Sequence, residues 1–266
     1  MEFLNNLTPA ESYFLLKDED ASQKELLKLT LIDLLLKNVL RTYESNIEYS
    51  DEDNNNPITY VAISDNFWSY QALEHEMIFL STFKVNNSIQ VLFSNMVKIG
   101  YKKSISEKKL HKLLTQSPNL KGCYHRNLLQ QIFGGYSITE NGEKMRAKIK
   151  KEVDSLNKEL PAIIAENQLS SLEKINLLKG NIFILKDVNY DIFKQFDNEL
   201  LEQYRISDAS FFINSFTGDP TLLFEDLSSV FDSSCSSDSG CSSGDSGWSG
   251  GDSGCSSGCS GCGGGD

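Results

Sequence analysis

The sequence feature that most limits how this chain can fold is a change in composition near residue 231. Residues 231–266 contain 13 Ser, 11 Gly, 5 Cys and 5 Asp, and the two other residues are Phe231 and Trp248. So little apolar surface cannot offset the conformational entropy that folding removes. We therefore expect a disordered tail over 231–266. The 230 residues before it are enough to bury a core without disulfides or a metal.

The start of the chain predicts two helices followed by a hairpin. Thr8–Glu11 reads as a capping box with proline at the first helical position, and Ser22–Glu25 repeats the Ser-x-x-Glu pattern. The apolar residues of Leu26–Leu40 surround the second helix, which indicates a central buried helix. Arg41–Tyr49 and Ile58–Ile63, separated by a polar segment, predict two strands.

A similar order of elements follows. Helices are predicted at Tyr70–Phe83, Ser88–Ile99 and Ser104–Leu114, then an apolar segment at Leu128–Phe133, a brief strand at Tyr136–Ile138, and a long polar helix from Thr139 to Pro161. Because helices followed by a hairpin are the order of a winged-helix unit, we predict a mainly α fold with a few short strands (α+β), built from tandem winged-helix-like units.

Four regions result from this interpretation. The predicted domains are a winged-helix-like unit at 1–68, a second helical or winged-helix-like unit at 69–160, a small helical segment at 161–230 packed on the body, and the disordered tail at 231–266.

Two segments carry a resemblance to a known group of proteins. Leu7–Leu16 contains Pro-x-Glu-x-x-x-Leu, and Thr30–Leu34 reads Thr-Leu-x-Asp-Leu. Together they resemble uncharacterised bacterial proteins that combine a winged-helix-like region with a Gly/Cys-rich C-terminal tail. Tyr136–Gly142 is similar to the Leu-Thr-x-x-Gly sequence that follows winged-helix strands. The resemblance implies a fold and a tail style, and it implies no activity.

Charge and hydropathy narrow the classes of function. The formal net charge is -12, and the residues before 231 include 32 acidic against 25 basic side chains, which argues against a broad phosphate-binding surface. The N-terminus lacks the charged and apolar regions of a secretory signal, and apolar stretches of about four residues are too short to span a membrane. We therefore expect a cytoplasmic protein without a membrane partner.

The tail is also a repeat, because Asp238, Asp245 and Asp252 each begin a seven-residue unit of the form Asp-Ser-Gly-x-Ser-x-Gly. Its cysteines are the candidate metal ligands of the sequence: Cys235, Cys241, Cys255, Cys259 and Cys262. Four thiolates could bind zinc or another thiophilic metal, so a metal-binding or redox role of the tail is one alternative function.

Two further interpretations of the tail differ in plausibility. Cys255, Cys259 and Cys262 have the spacing of a radical S-adenosylmethionine cluster motif, but we expect no cluster because no barrel follows them to bind the cofactor. The Gly-Cys pairs, such as Gly240-Cys241, resemble the core of azole-containing bacteriocin precursors. A precursor whose tail is modified after translation is therefore a second alternative, and a plain solvated tail is the simplest.

The body offers one surface and few catalytic candidates. Lysines and arginine concentrate between residues 98 and 126, and the candidate contacts to nucleic acid or an acidic partner are Lys102, Lys103, Lys108, Lys109 and Lys112. His75 is predicted to be solvated or half-buried on a helix, and Cys123 and His125 are too close in sequence to favour a catalytic pair. The leading interpretation is a non-enzymatic interaction or regulatory protein without a cofactor. Its partner is an unknown protein, and nucleic acid is less favoured.

Overall fold

The computed structural model describes residues 3–45, 58–133, 135–166, 178–185 and 231. The described chain is mainly helical with a few short antiparallel strands, as the sequence predicted. Its elements in chain order are α1 (Pro9–Lys17), α2 (Gln23–Leu36), β1 (Leu40–Ser45), β2 (Ile58–Ile63), α3 (Met77–Val85), β3 (Val91–Leu92), α4 (Phe93–Ser104), α5 (Glu107–Thr115), β4 (Tyr124–His125), α6 (Leu128–Phe133), β5 (Ser137–Ile138) and α7 (Glu140–Glu166). Short 3-10 helices include Lys179–Ile184.

Both predicted N-caps are present. Thr8 Oγ1 accepts the N–H of Glu11 at 3.3 Å, and the Glu11 carboxylate accepts the N–H of Thr8 at 2.8 Å, which completes the capping box of α1. Ser22 Oγ accepts the N–H of Glu25 at 3.2 Å at the start of α2. Every α2 residue from Leu26 to Leu36 is buried, so α2 is the central helix that its apolar pattern predicted.

Two small antiparallel sheets are described. β1 and β2 form the predicted hairpin, with Leu40 opposite Ile63, and β3 extends this sheet by pairing Val91 with Val61. β4 and β5 form the second sheet, in which Tyr124 lies opposite Ile138. The short strand predicted around Ile138 is therefore confirmed.

Two helices begin later in the chain than the sequence predicted. The helix expected from Tyr70 starts only at Met77, because the Glu76 carboxylate accepts the N–H of Leu73 at 2.7 Å and holds the preceding segment in turns. The helix expected from Ser88 starts at Phe93, because β3 pairs with β2 first. A local side-chain hydrogen bond delays the first helix, whereas tertiary strand pairing overrides helix propensity in the second.

The long helix α7 also ends later than the sequence predicted. The sequence placed its end at Pro161, whereas the helix continues to Glu166. Proline removes one backbone donor and disfavours a helix interior, but it marks a probable boundary rather than an obligatory one.

A single apolar cluster joins the described elements. Phe14 of α1, Phe79 of α3 and Ile149 of α7 are fully buried in it, together with most of α2. α3 and α4 pack closely, since a Cβ at Gly100 would lie 2.7 Å from the Phe79 ring. Phe231, the first residue of the predicted tail, is fully buried in the same cluster. None of the described helices combines the length and apolar composition needed to cross a membrane.

Candidate functional site

The predicted contact lysines lie on the exposed sides of two consecutive helices, and we call these side chains the basic surface. It consists of Lys98, Lys102 and Lys103 on α4 and of Lys108, Lys109 and Lys112 on α5, all exposed. The opposite sides of these helices face the core, through Met96 and Val97 on α4 and through Leu110 and Leu114 on α5. This division follows from the helical period, which separates apolar and charged positions onto two faces.

Lys103 differs from the other lysines of the basic surface. Its Nζ donates to Ser81 Oγ and to Thr82 Oγ1 of α3, each at 2.8 Å. Partial burial also lowers the pKa of Lys103 below its ordinary value. Lys102, Lys108, Lys109 and Lys112 make no ion pair within the part of the chain that the structure describes. Lys103 therefore contributes charge while its ammonium is held by α3.

The connection between α4 and α5 is unusually tight. Ile105 has φ 67° and ψ -55°, and the N–H of Ser106 donates to the Ser104 carbonyl oxygen at 2.8 Å, which makes a γ-turn. Ser106 then caps α5 by accepting the N–H of Lys109 at 3.3 Å. A β-branched residue with positive φ is rare, and 65% of the Ile105 surface is exposed.

The β4–β5 hairpin follows α5 and fixes the start of α7. Thr139 Oγ1 donates to the Gly122 carbonyl oxygen at 2.6 Å and accepts the N–H of Gly142 at 3.1 Å. A Cβ at Gly142 would collide with the Cys123 carbonyl oxygen and lie 2.6 Å from Ile138 Cγ1. The Thr-x-x-Gly spacing thus lets α7 begin directly against the hairpin. Leu128, between the two strands, is 79% exposed.

A buried carboxylate connects α1 to the segment after α5. Glu11 is fully buried, and its carboxylate also accepts a hydrogen bond from Ser117 Oγ. Asn119 Nδ2 donates to both carboxylate oxygens of Glu11, at 3.0 and 3.2 Å. With several donors around it, this carboxylate is satisfied without any further ligand. Its role in the fold is structural.

A second buried network surrounds Lys37. Its Nζ lies 2.6 Å from Asp33 Oδ2, 3.5 Å from Glu76 Oε1 and 2.9 Å from the Tyr70 hydroxyl, which itself donates to Glu76 Oε1 at 2.6 Å. Burial raises the pKa of Asp33 to about 6, although the Lys37 ammonium opposes this shift. Burial also lowers the pKa of Lys37, but the carboxylates of Asp33 and Glu76 outweigh it, so the net shift is upward. Lys37 therefore stays charged.

His75 lies between these two networks and corrects a prediction. The sequence interpretation made it solvated or half-buried on a helix, whereas it is 1% exposed in the turns before α3. Its Nε2 is 3.3 Å from Thr8 Oγ1, and its buried Nδ1 has no hydrogen-bond partner among the described residues. Burial lowers the pKa of His75, against the opposing effect of Glu11 and Glu76.

A third polar group connects α7 to the end of α1. Arg146 donates to Asp18 Oδ2 at 2.5 Å and to the Leu15 carbonyl oxygen at 2.7 Å. Burial raises the pKa of Tyr124 and of Tyr136 above the ordinary range, and Asp18 adds to both shifts. The rings of Tyr124 and Tyr136 pack against Phe14, with their centroids 5.3 and 5.6 Å from that of Phe14.

The thiol and imidazole near residue 124 do not form a pair. Cys123 is buried with Sγ 3.5 Å from Met145 Sδ, whereas His125 is exposed. Burial raises the pKa of the Cys123 thiol, which disfavours the nucleophilic thiolate. The tail cysteines lie outside the described residues. Within the described residues, no three His, Cys, Asp or Glu side chains are grouped as a metal site.

A groove of about 400 Å³ lies between the N-terminus and α7. Glu152 accepts the N–H groups of Phe3 and Leu4 at 3.2 and 3.1 Å, and Lys148 Nζ is 4.5 Å from the Phe3 ring centroid. These contacts attach the N-terminus to α7, and they explain the groove as a packing feature.

Sequence reasoning found the basic surface but missed the buried networks. The Thr8–Glu11 capping box identified Glu11, and the four-residue spacing of Asp33 and Lys37 is the signal from which their ion pair could have been found. Their other contacts join segments far apart in the chain, so no local pattern marks them. In comparisons with known proteins, the chain matches no family model, no curated protein and no solved structure.

Proposed function

We propose that this chain is a non-enzymatic interaction protein of the cytoplasm, and that its partner binds the basic surface. Three side chains that could take part in catalysis, Glu11, His75 and Cys123, are buried in the fold, which supports this proposal. The exposed lysines of α4 and α5 form a cluster of like charge that is available to a partner.

The order of elements around the basic surface supports a winged-helix unit. α3, β3, α4 and α5 follow one another as three helices with a strand after the first, and then come the antiparallel strands β4 and β5, whose connection contains the short helix α6. β3 pairs with β2 of the N-terminal hairpin, so the two units share a sheet. We propose tandem winged-helix-like units, of which the second carries the binding surface.

Duplex DNA is the partner that this arrangement fits best. In helix-turn-helix proteins the second helix of the motif enters the major groove, and here that helix is α5, which carries Lys108, Lys109 and Lys112 on its exposed side. Lysines bind phosphates as point charges and carry little sequence information, so we expect backbone binding with weak sequence preference. These three exposed lysines of α5 are the observation that carries the proposal.

Fluorescence anisotropy with a short mixed-sequence duplex tests the proposal. We expect binding that weakens steeply between about 50 and 200 mM salt, because each phosphate contact releases counterions. The triple variant K108E/K109E/K112E should bind at least about tenfold more weakly and reduce the salt slope by about 3.

The matched control is K144E/K150E/K158E, which makes the same charge change on exposed positions of α7. It should keep most of the wild-type affinity. Equal weakening by the two triple variants would show a net-charge effect and contradict the assignment to α5. Absence of binding by the wild-type chain at low salt would exclude DNA and leave an acidic protein as the partner to test.

A further inference from the structure

The first residue of the acidic repeat segment is anchored beside the basic surface. Phe231 is fully buried, and its ring centroid lies 6.2 Å from that of Tyr101 with the rings inclined at 61°. Tyr101 belongs to α4, directly before Lys102 and three residues after Lys98. The chain that follows Phe231 therefore starts next to the lysines of α4.

The charges of residues 232–266 and of the basic surface are complementary. Residues 232–266 contain no Lys or Arg, and their charged side chains are Asp232, Asp238, Asp245, Asp252 and Asp266. The basic surface offers six lysines within fifteen residues of chain, from 98 to 112. Successive aspartates lie 6, 7, 7 and 14 residues apart, so the negative charge is distributed along the segment rather than concentrated at one end.

The segment is long enough to cover both helices. An extended chain advances at most about 3.3–3.6 Å per residue, so one seven-residue unit reaches up to about 25 Å. The 12 residues of α4 and the 9 of α5 correspond to helix lengths of about 18 and 14 Å. Even the first two units that follow Phe231 can therefore reach every lysine of the basic surface.

We propose that residues 232–266 bind the basic surface of their own chain and compete there with DNA. The competition rests on the proposed function, whereas the contact between the segment and the surface does not. Attachment at Phe231 makes the contact intramolecular, with an effective concentration on the order of millimolar for a short tether. Weak individual ion pairs then suffice to occupy the surface for much of the time.

The contact itself is tested with a zero-length carbodiimide, which links a carboxylate to an amine that touches it. In the full-length protein we expect amide cross-links from Asp232 or Asp238 to Lys98, Lys102, Lys108, Lys109 or Lys112, mapped by mass spectrometry at low salt. Raising the salt should remove them, because exposed charges are screened. Cross-links confined to lysines elsewhere, or none at all, would overturn the proposal.

Competition is tested with a variant in which all five aspartates of residues 232–266 are changed to Asn. If the segment covers the surface for about nine-tenths of the time, the variant should bind the duplex about tenfold more tightly than wild type at low salt. The control neutralises five exposed acids elsewhere, by D65N, E74Q, E140Q, D154N and E159Q. An equal gain in the control would overturn the competition.

The two proposals fail in distinguishable ways. Cross-links without any DNA binding by either form would uphold the contact and reject DNA as the partner. DNA binding by both forms with equal affinity and no cross-links would uphold the proposed function and reject the role of the segment.

Discussion

At the residue scale, His75 connects protonation to stability. Its side chain is 1% exposed, and it faces Glu11 from α1, Glu76 beside it and Lys37 directly after α2. Burial lowers its pKa below the ordinary 6.5, so below that pH the unfolded chain binds a proton that the folded chain does not. Stability from the neutral imidazole is therefore fully present above about pH 6.5 and is lost as the pH falls toward the folded-state pKa.

We predict that His75→Gln reduces the loss of stability between pH 7 and pH 5. The glutamine amide keeps a polar group toward Thr8 Oγ1, which lies 3.3 Å from the histidine Nε2, but it does not titrate. The difference in the free energy of unfolding between wild type and variant should grow by at most about 1.4 kcal/mol for each pH unit below 6.5. Urea unfolding at a series of pH values measures it, and His125→Gln at an exposed position is the matched control for replacing an imidazole by an amide. Parallel profiles for wild type and His75→Gln would contradict the prediction.

The residue scale also shows why the sequence reveals only part of a buried network. Glu11 was recognisable from its capping box, and that contact is local. Its bonds to Ser117 and Asn119 cross more than a hundred residues of chain. No spacing rule encodes such a contact, because it depends on how the segment after α5 packs against α1.

At the element scale, the starts of α1, α2 and α7 were predicted from their side-chain caps, whereas elements that depend on tertiary contacts were not. Thr8, Ser22 and Thr139 each cap the helix that the sequence assigned to them, because capping is a bond within three residues. β3 was missed because Val91 and Leu92 become a strand only by pairing with β2. The basic surface was predictable because its lysines are concentrated in one stretch of the sequence, although the predicted helices did not include Lys102 and Lys103.

The α4–α5 connection leads to an element-scale prediction about strain. Ile105 holds φ at 67° in an exposed γ-turn, a conformation that costs a β-branched residue about 1–3 kcal/mol. Glycine adopts positive φ freely but loses more backbone entropy on folding, by about 0.5–1 kcal/mol. Ile105→Gly should therefore stabilise the protein by about 1 kcal/mol in urea unfolding. The control Val85→Gly, at a 90% exposed position at the end of α3 without positive φ, should destabilise it. Destabilisation by Ile105→Gly would refute the strain.

At the scale of the whole molecule, polar contacts join the two regions that the sequence divided near residue 68. Glu11 of α1 holds Ser117 and Asn119, and Gln23 Nε2 at the start of α2 donates to Ser104 Oγ of α4 at 2.7 Å. Arg146 of α7 reaches back to the end of α1. The apolar cluster runs through both regions without interruption between them. These links suggest that neither region is stable without the other.

We therefore predict that residues 3–45 and 58–166 unfold in one cooperative transition, and Arg146→Gln provides the test. This change removes the hydrogen bonds of a partly buried guanidinium to the Asp18 carboxylate and the Leu15 carbonyl oxygen, together with an exposed one to Glu143, and should cost about 1–3 kcal/mol. In native-state hydrogen exchange, the most protected amides of α2 and of α5 should lose the same free energy, although Arg146 lies in neither helix. Lys144→Gln is the matched control, because it removes an exposed ion pair with Glu140 from the same helix and should cost at most about 0.5 kcal/mol. If α5 lost protection in Arg146→Gln while α2 kept it, the two regions would unfold independently, and the division near residue 68 would be a real domain boundary.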